Sequence, residues 1–84
     1  GVYMLLTTTF NRQLWKIDSF ETVSYDKESK DLFIHYLDQT VLQFYSVPED
    51  VLFQFIIDTD KESFIQQILI PNYLIERNEK LRTN

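Results

Sequence analysis

Apolar and polar residues along the chain change their spacing, and each spacing predicts a different element. Phe20 to Tyr25 (FETVSY) alternates, with Phe20, Thr22 and Ser24 on one side and Glu21, Val23 and Tyr25 on the other, the period of a strand. Leu32 to Leu37 (LFIHYL) and Val41 to Ser46 (VLQFYS) are short runs rich in aromatic and β-branched residues, which suit a pleated surface. The polar block DKESKD, Asp26 to Asp31, reads as the loop joining the first two strands, and Asp38, Gln39 and Thr40 as the turn joining the second and third. Strand period puts Leu32, Ile34 and Tyr36 on one face and Phe33, His35 and Leu37 on the other. In the next strand, Leu42 and Phe44 separate from Val41, Gln43 and Tyr45. Thr7 to Ser19, with Phe10, Leu14, Trp15 and Ile17, keeps neither a strand nor a helix period.

At Pro48 the pattern turns helical. Proline cannot donate to a central ladder, and its fixed φ suits a first helical turn. Ser46 and Glu49 have the spacing of a capping box, and Val47, Val51, Leu52, Phe55 and Ile56 make one apolar stripe, predicting a helix to about Ile57. Thr59 and Glu62 repeat the capping spacing ahead of Phe64, Ile65, Ile68 and Leu69, predicting a second helix that Pro71 ends or kinks near Leu69 or Ile70. The expected fold is α+β: a small three- or four-stranded antiparallel meander packed on two C-terminal helices. It forms a single domain over residues 4–75, followed by a polar tail over 76–84. Gly1, Val2 and Tyr3, ahead of Met4, read as an expression remnant.

Composition narrows the function classes. The 84 residues suit one core, and hydrophobic residues at 44% with aromatics at 15% supply large side chains to fill it. One glycine leaves no material for a phosphate-cradling loop, and the absence of cysteine removes disulfides, thiolate nucleophiles and Cys zinc sites. A net charge of -5 opposes a general attraction to nucleic acid, although Arg77, Lys80 and Arg82 gather near the C-terminus among Glu76 and Glu79. There is no long apolar run and no leader pattern, so the expectation is a cytoplasmic protein without membrane contact.

Several pieces of the sequence occur in an order that resembles the KTSC domain. They are Ser19 ahead of Tyr25 and Asp26; the alternating Leu32, Ile34 and Tyr36; Val47 and Pro48 opening a helix; and Lys61 followed by Phe64 and Ile68. The resemblance covers about Ser19 to Tyr73. The sequence departs from the family pattern at Leu42 and Phe44, where the family places a pair of tyrosines. It also departs at Gln39, where a turn glycine is usual, and at Asp60, Lys61 and Glu62, which stand where Ser-Lys-Gly is usual. The resemblance implies a bacterial or phage source and an α+β fold. RNA binding is suggested for the family mainly by its occurrence at the C-terminus of some lysyl-tRNA synthetases.

Phe33, His35 and Tyr45 fall on the sheet face opposite Leu32, Ile34 and Phe44, where aromatics could stack on bases or anchor a partner. The N-terminal segment around Phe10, Leu14 and Trp15 is expected to fold across that face. Lys61 matches the family's lysine and is placed to contact an anion near a helix start, or else to be a solvated first-turn residue. The single histidine rules out a His-based metal cluster, and no motif supplies it with a nucleophile. Asp58, Asp60 and Glu62 alternate like a calcium loop, but its glycine and terminal acid are replaced by Ser63 and Leu69. No cofactor, metal or small-molecule substrate is indicated. The expectation is a non-catalytic interaction module that binds a protein partner or itself, with RNA or single-stranded nucleic acid on the sheet aromatics as the alternative.

Overall fold

The structure, a computed structural model, describes residues 5–79; Met4 and residues 1–3, and Lys80 and Arg82 of the expected tail, lie outside the described residues. Among the described residues, one sheet holds β1 (Leu5–Thr9), β2 (Phe20–Asp26), β3 (Asp31–Tyr36), β4 (Thr40–Phe44) and β5 (Ile75–Glu79). The five lie in sequence order, and each is antiparallel to the next. This exceeds the expected three or four strands. The two extra strands are the edges, β1 (LLTTT) and β5 (IERNE), in which every residue is exposed. A strand held by backbone pairing alone has no buried face, so no alternation marks it in the sequence.

The β2–β3 pairing slips between Phe20 and Thr22, leaving Glu21 as an extra residue. This bulge corrects the expected faces. Phe20 joins Val23 and Tyr25 in the core, whereas Thr22 and Ser24 face the other way, because one inserted residue reverses the pleat for everything before it. The β3–β4 turn places Gln39 at φ 79, in the left-handed region.

Between β1 and β2 runs a single helical turn, α1 (Arg12–Trp15), whose first amides are capped by Asn11, with Oδ1 accepting from Leu14 N at 3.1 Å. It corrects a second expectation. The N-terminal segment covers the opposite face of the sheet from the one anticipated, because buried Phe10 packs edge-on against Phe20 and Phe55 on the helical side.

Between β4 and β5 come α2 (Glu49–Ile57) and a continuous helical stretch over 61–72, made of α3 (Lys61–Phe64), a π-helical segment (Ile65–Leu69) and α4 (Ile70–Asn72). The helices therefore precede the last strand and are not C-terminal. Neither expected capping box forms. Ser46 sits at φ 57 and Pro48 takes the α2 cap without a side-chain bond, while Asp60 caps α3, its Oδ1 accepting from Ser63 N at 3.1 Å. Pro71 does not stop the helix at Leu69 or Ile70. Ile70 N–H has already shifted to Ile65 O, the longer π spacing, and the stretch runs on to Asn72, whose side chain donates to Ile68 O at 2.8 Å.

The core lies between sheet and helices. Phe20, Leu32, Ile34 and Phe44 from the strands meet Val47, Phe55, Ile65 and Leu69 from the helical side, all at most 1% exposed. The Tyr25 hydroxyl crosses this layer and donates to Val47 O at 2.6 Å, fixing the chain as it leaves β4 for α2.

Candidate functional site

The face of the sheet away from the helices carries three of the residues singled out in the sequence. Phe33, His35 and Tyr45 are all half-buried on it, in a setting rich in hydroxyls and carboxylates. Ser24 Oγ is 3.0 Å from His35 Nε2 and 3.2 Å from Thr7 Oγ1, and Thr9 and Thr22 pair alongside at 3.1 Å. A serine and a histidine at that distance have the spacing of a nucleophile and its base. Ser24, however, is only 5% exposed and shares its oxygen with Thr7. The Tyr45 hydroxyl donates to Glu76 Oε2 at 3.2 Å, and Gln43 donates to Asp31 at 3.1 Å, so two carboxylates border the aromatics.

Lys61 lies elsewhere. It is 1% exposed, inside the helical layer, and is not brought together with Phe33, His35 and Tyr45. Its ammonium donates to Phe55 O at 3.1 Å, to Asp58 O at 2.9 Å and to Ile56 O, which are carbonyls at the open end of α2. The Trp15 ring lies 3.8 Å from Nζ and the Phe10 ring 4.8 Å. An ammonium with three donors matches three carbonyls at the end of α2, of which Phe55 O also accepts from Asp58 N at 3.3 Å, and the ring faces favour its charge. Burial lowers its pKa, with Asp58 opposing that shift. Lys61 thus ties α1, α2 and α3 together.

That tie shapes a surface the sequence did not single out. Beside Trp15, Leu14 is 73% exposed, and at the end of α2 Ile57 and Phe53 are 72% and 58% exposed. Leu14 and Thr59 line one depression of about 430 Å³, and Ile57 and Thr59 line its neighbour of about 440 Å³. Leu14 and Ile57 therefore flank Thr59, with Phe53 one turn back along α2. The signal in the sequence is the four-residue spacing of Phe53 and Ile57, off the stripe that faces the core. Asp58 and Asp60 stand at the same corner, Asp58 Oδ1 accepting from Asp60 N at 2.7 Å.

Among the described residues, no three His, Cys, Asp or Glu side chains are grouped to hold a metal ion, and no helix is long and apolar enough to cross a membrane. The sheet, the helices in its last connection and the buried lysine define a small α+β domain built as a two-layer scaffold. The chain belongs to the KTSC domain family, whose model matches residues 18–73. No match was found among curated proteins or solved structures.

The residues that carry the family resemblance work at the join between the layers. Ser19 Oγ donates to Glu62 Oε2 at 2.5 Å, Tyr25 bonds Val47 O, and Lys61 caps α2. Gln39 takes the left-handed turn position where the family has glycine, which explains the usual choice there. Leu42 and Phe44, which replace the family's tyrosines, are only 4% and 0% exposed.

Proposed function

We propose that this domain is a small non-catalytic interaction module, bacterial or phage in origin and cytoplasmic, that binds a protein partner through the patch formed by Leu14, Phe53 and Ile57. The exposure of these three side chains at one rigid corner is the observation that carries the reading. Asp58 and Asp60 border the patch, which favours a partner presenting apolar side chains flanked by Lys or Arg. The burial of Ser24 supports the non-catalytic reading, since its oxygen is not presented to a substrate.

The test compares capture by the wild type, by Leu14→Asp with Ile57→Asp, and by Phe33→Ala, with light scattering on each. The wild type and Phe33→Ala are expected to retain one partner that the double variant loses, and all three to be monomeric alone. Equal capture by the double variant, or no partner at all, would sink the proposal. A wild-type dimer abolished by the double variant would replace the partner with a second copy.

A second reading, RNA or single-stranded nucleic acid on the sheet, is favoured by Phe33, His35 and Tyr45 sharing the face away from the helices. Asp31 and Glu76 on that face work against it. Titration of labelled RNA at low salt, where phosphate contacts are strongest, is expected to show no saturable binding; binding lost in Phe33→Ala would establish this reading instead.

A further inference from the structure

A cavity of about 250 Å³ lies between the helical side of the sheet and the 61–72 stretch, separate from both surfaces described above. Leu42 and Ile70 give it apolar walls, and Tyr36, Gln66 and Arg77 line it with polar groups. Arg77 reaches it because β5 pairs Arg77 with core-facing Leu42. Gln66 reaches it from the π-helical segment, whose widened turn ends at Ile70. Such turns are frequent at functional sites.

The Tyr36 hydroxyl, the Gln66 amide and the Arg77 guanidinium form no side-chain hydrogen bonds within the described residues, where the ion pair is Lys27 with Glu49. Burial, helped by the fields of Glu62 and Asp38 and opposed by Arg77, pushes the Tyr36 pKa up to about 12, so its O–H remains a donor at neutral pH. Three donor groups thus line an open, mainly polar cavity to which Leu42 and Ile70 supply the apolar part. Asp38 also lines the cavity; its carboxylate accepts from Thr40 N at 2.9 Å and lies in the field of Arg77, so an incoming anion shares that guanidinium with it. Its charge disfavours a dianion such as phosphate, and the planar fork of Arg77 suits a carboxylate.

We propose that this cavity binds a monocarboxylate carrying a short aliphatic group. The carboxylate sits on Arg77, with Tyr36 and Gln66 donating to it, and the aliphatic part lies against Leu42 and Ile70. Such a group comes either from a free short-chain acid or from the C-terminus of a peptide ending in an aliphatic residue.

Amide chemical shifts of the labelled domain, followed by NMR, distinguish these sources. The probes are 4-methylpentanoate, acetyl-Gly-Leu with a free carboxylate, and acetyl-Gly-Leu-amide. At least one acid is expected to shift the signals of Tyr36, Gln66 and Arg77 saturably, with a Kd of about 1 mM, as befits a ligand this small. Arg77→Gln, an exposed edge substitution whose folding the same spectra verify, is expected to weaken it about tenfold or more. Tighter binding of the peptide acid identifies a chain terminus, and tighter binding of 4-methylpentanoate a free acid. The proposal is overturned if no acid shifts these signals at about 20 mM, twenty times the expected Kd. Equal binding of the amide, or unchanged binding by Arg77→Gln, overturns it as well.

Discussion

Replacing Lys61 with methionine is expected to destabilise the domain by about 3 kcal/mol, because it keeps most of the aliphatic stem but strands the Ile56 and Asp58 carbonyls and leaves Phe55 O with only its bond from Asp58 N. A domain of this length has a stability of roughly 4–12 kcal/mol, so the loss is from about a quarter to about three quarters of the whole. Urea unfolding measures the loss, and a value under about 1 kcal/mol would show that water replaces the ammonium as donor. Lys61→Arg is not expected to rescue stability: a planar guanidinium does not fit a position built around a compact ammonium and closed by the Trp15 ring. The pH dependence has a definite sign. Burial depresses the folded pKa below the ordinary 10.5, so between the two values the unfolded chain binds more protons than the fold. The stability difference between wild type and Lys61→Met should therefore rise with pH across that window, above its value at neutral pH, and only this added increment is lost as pH falls through the folded pKa.

Phe55→Ala is expected to have a comparable or larger effect, about 3–5 kcal/mol, for a different reason. Phe55 is fully buried and its ring meets Phe10, Phe20 and Phe64 at centroid distances of 6.5, 6.2 and 5.6 Å. Truncation empties the point where N-terminal segment, sheet and both helices converge. Phe55→Leu, which retains volume, should lose about 1.5 kcal/mol or less. Because the Phe55 ring also lies 5.9 Å from Lys61 Nζ, the two side chains are neighbours, and the double variant should fall short of the sum by at least about 0.5 kcal/mol. Strict additivity would mean that the lysine and the aromatic cluster hold the layers independently.

What was legible in the sequence follows from which features are local. The three inner strands and α2 announce themselves because each buries one periodic face, and the split of LQFYSVP into inward Leu42 and Phe44 and outward Tyr45 holds in the structure. The edge strands do not, because their pairing is carried by backbone groups that every sequence possesses. Glu21 looked like an ordinary strand residue, since a bulge is decided by the partner strand as much as by its own. Lys61 reads in the sequence as the family's lysine, a candidate anion contact or a solvated residue of a first helical turn, and not as a buried one. Its burial depends on Trp15 and Phe10, distant in sequence, and on the carbonyls of a preceding helix, none of which local pattern reports. The cavity beside Tyr36 was hidden for the same reason, since Arg77 belongs to it only through β5.

The order of the strands in the sheet also separates them by the length of chain that each pairing must close. β2, β3 and β4 are joined by turns of a few residues, whereas β4 meets β5 only after α2 and the whole 61–72 stretch have been placed between them. Closing the longer loop costs more entropy, and the exposed side chains of β5 return little burial to offset it. β5 is therefore expected to dock after β2, β3 and β4 and to exchange its amide hydrogens before them, which amide exchange followed by NMR checks. Arg77 travels with it, so the occupancy of the cavity and the protection of this edge strand are linked: a carboxylate held on Arg77 would slow hydrogen exchange along β5 by suppressing every opening that releases the strand.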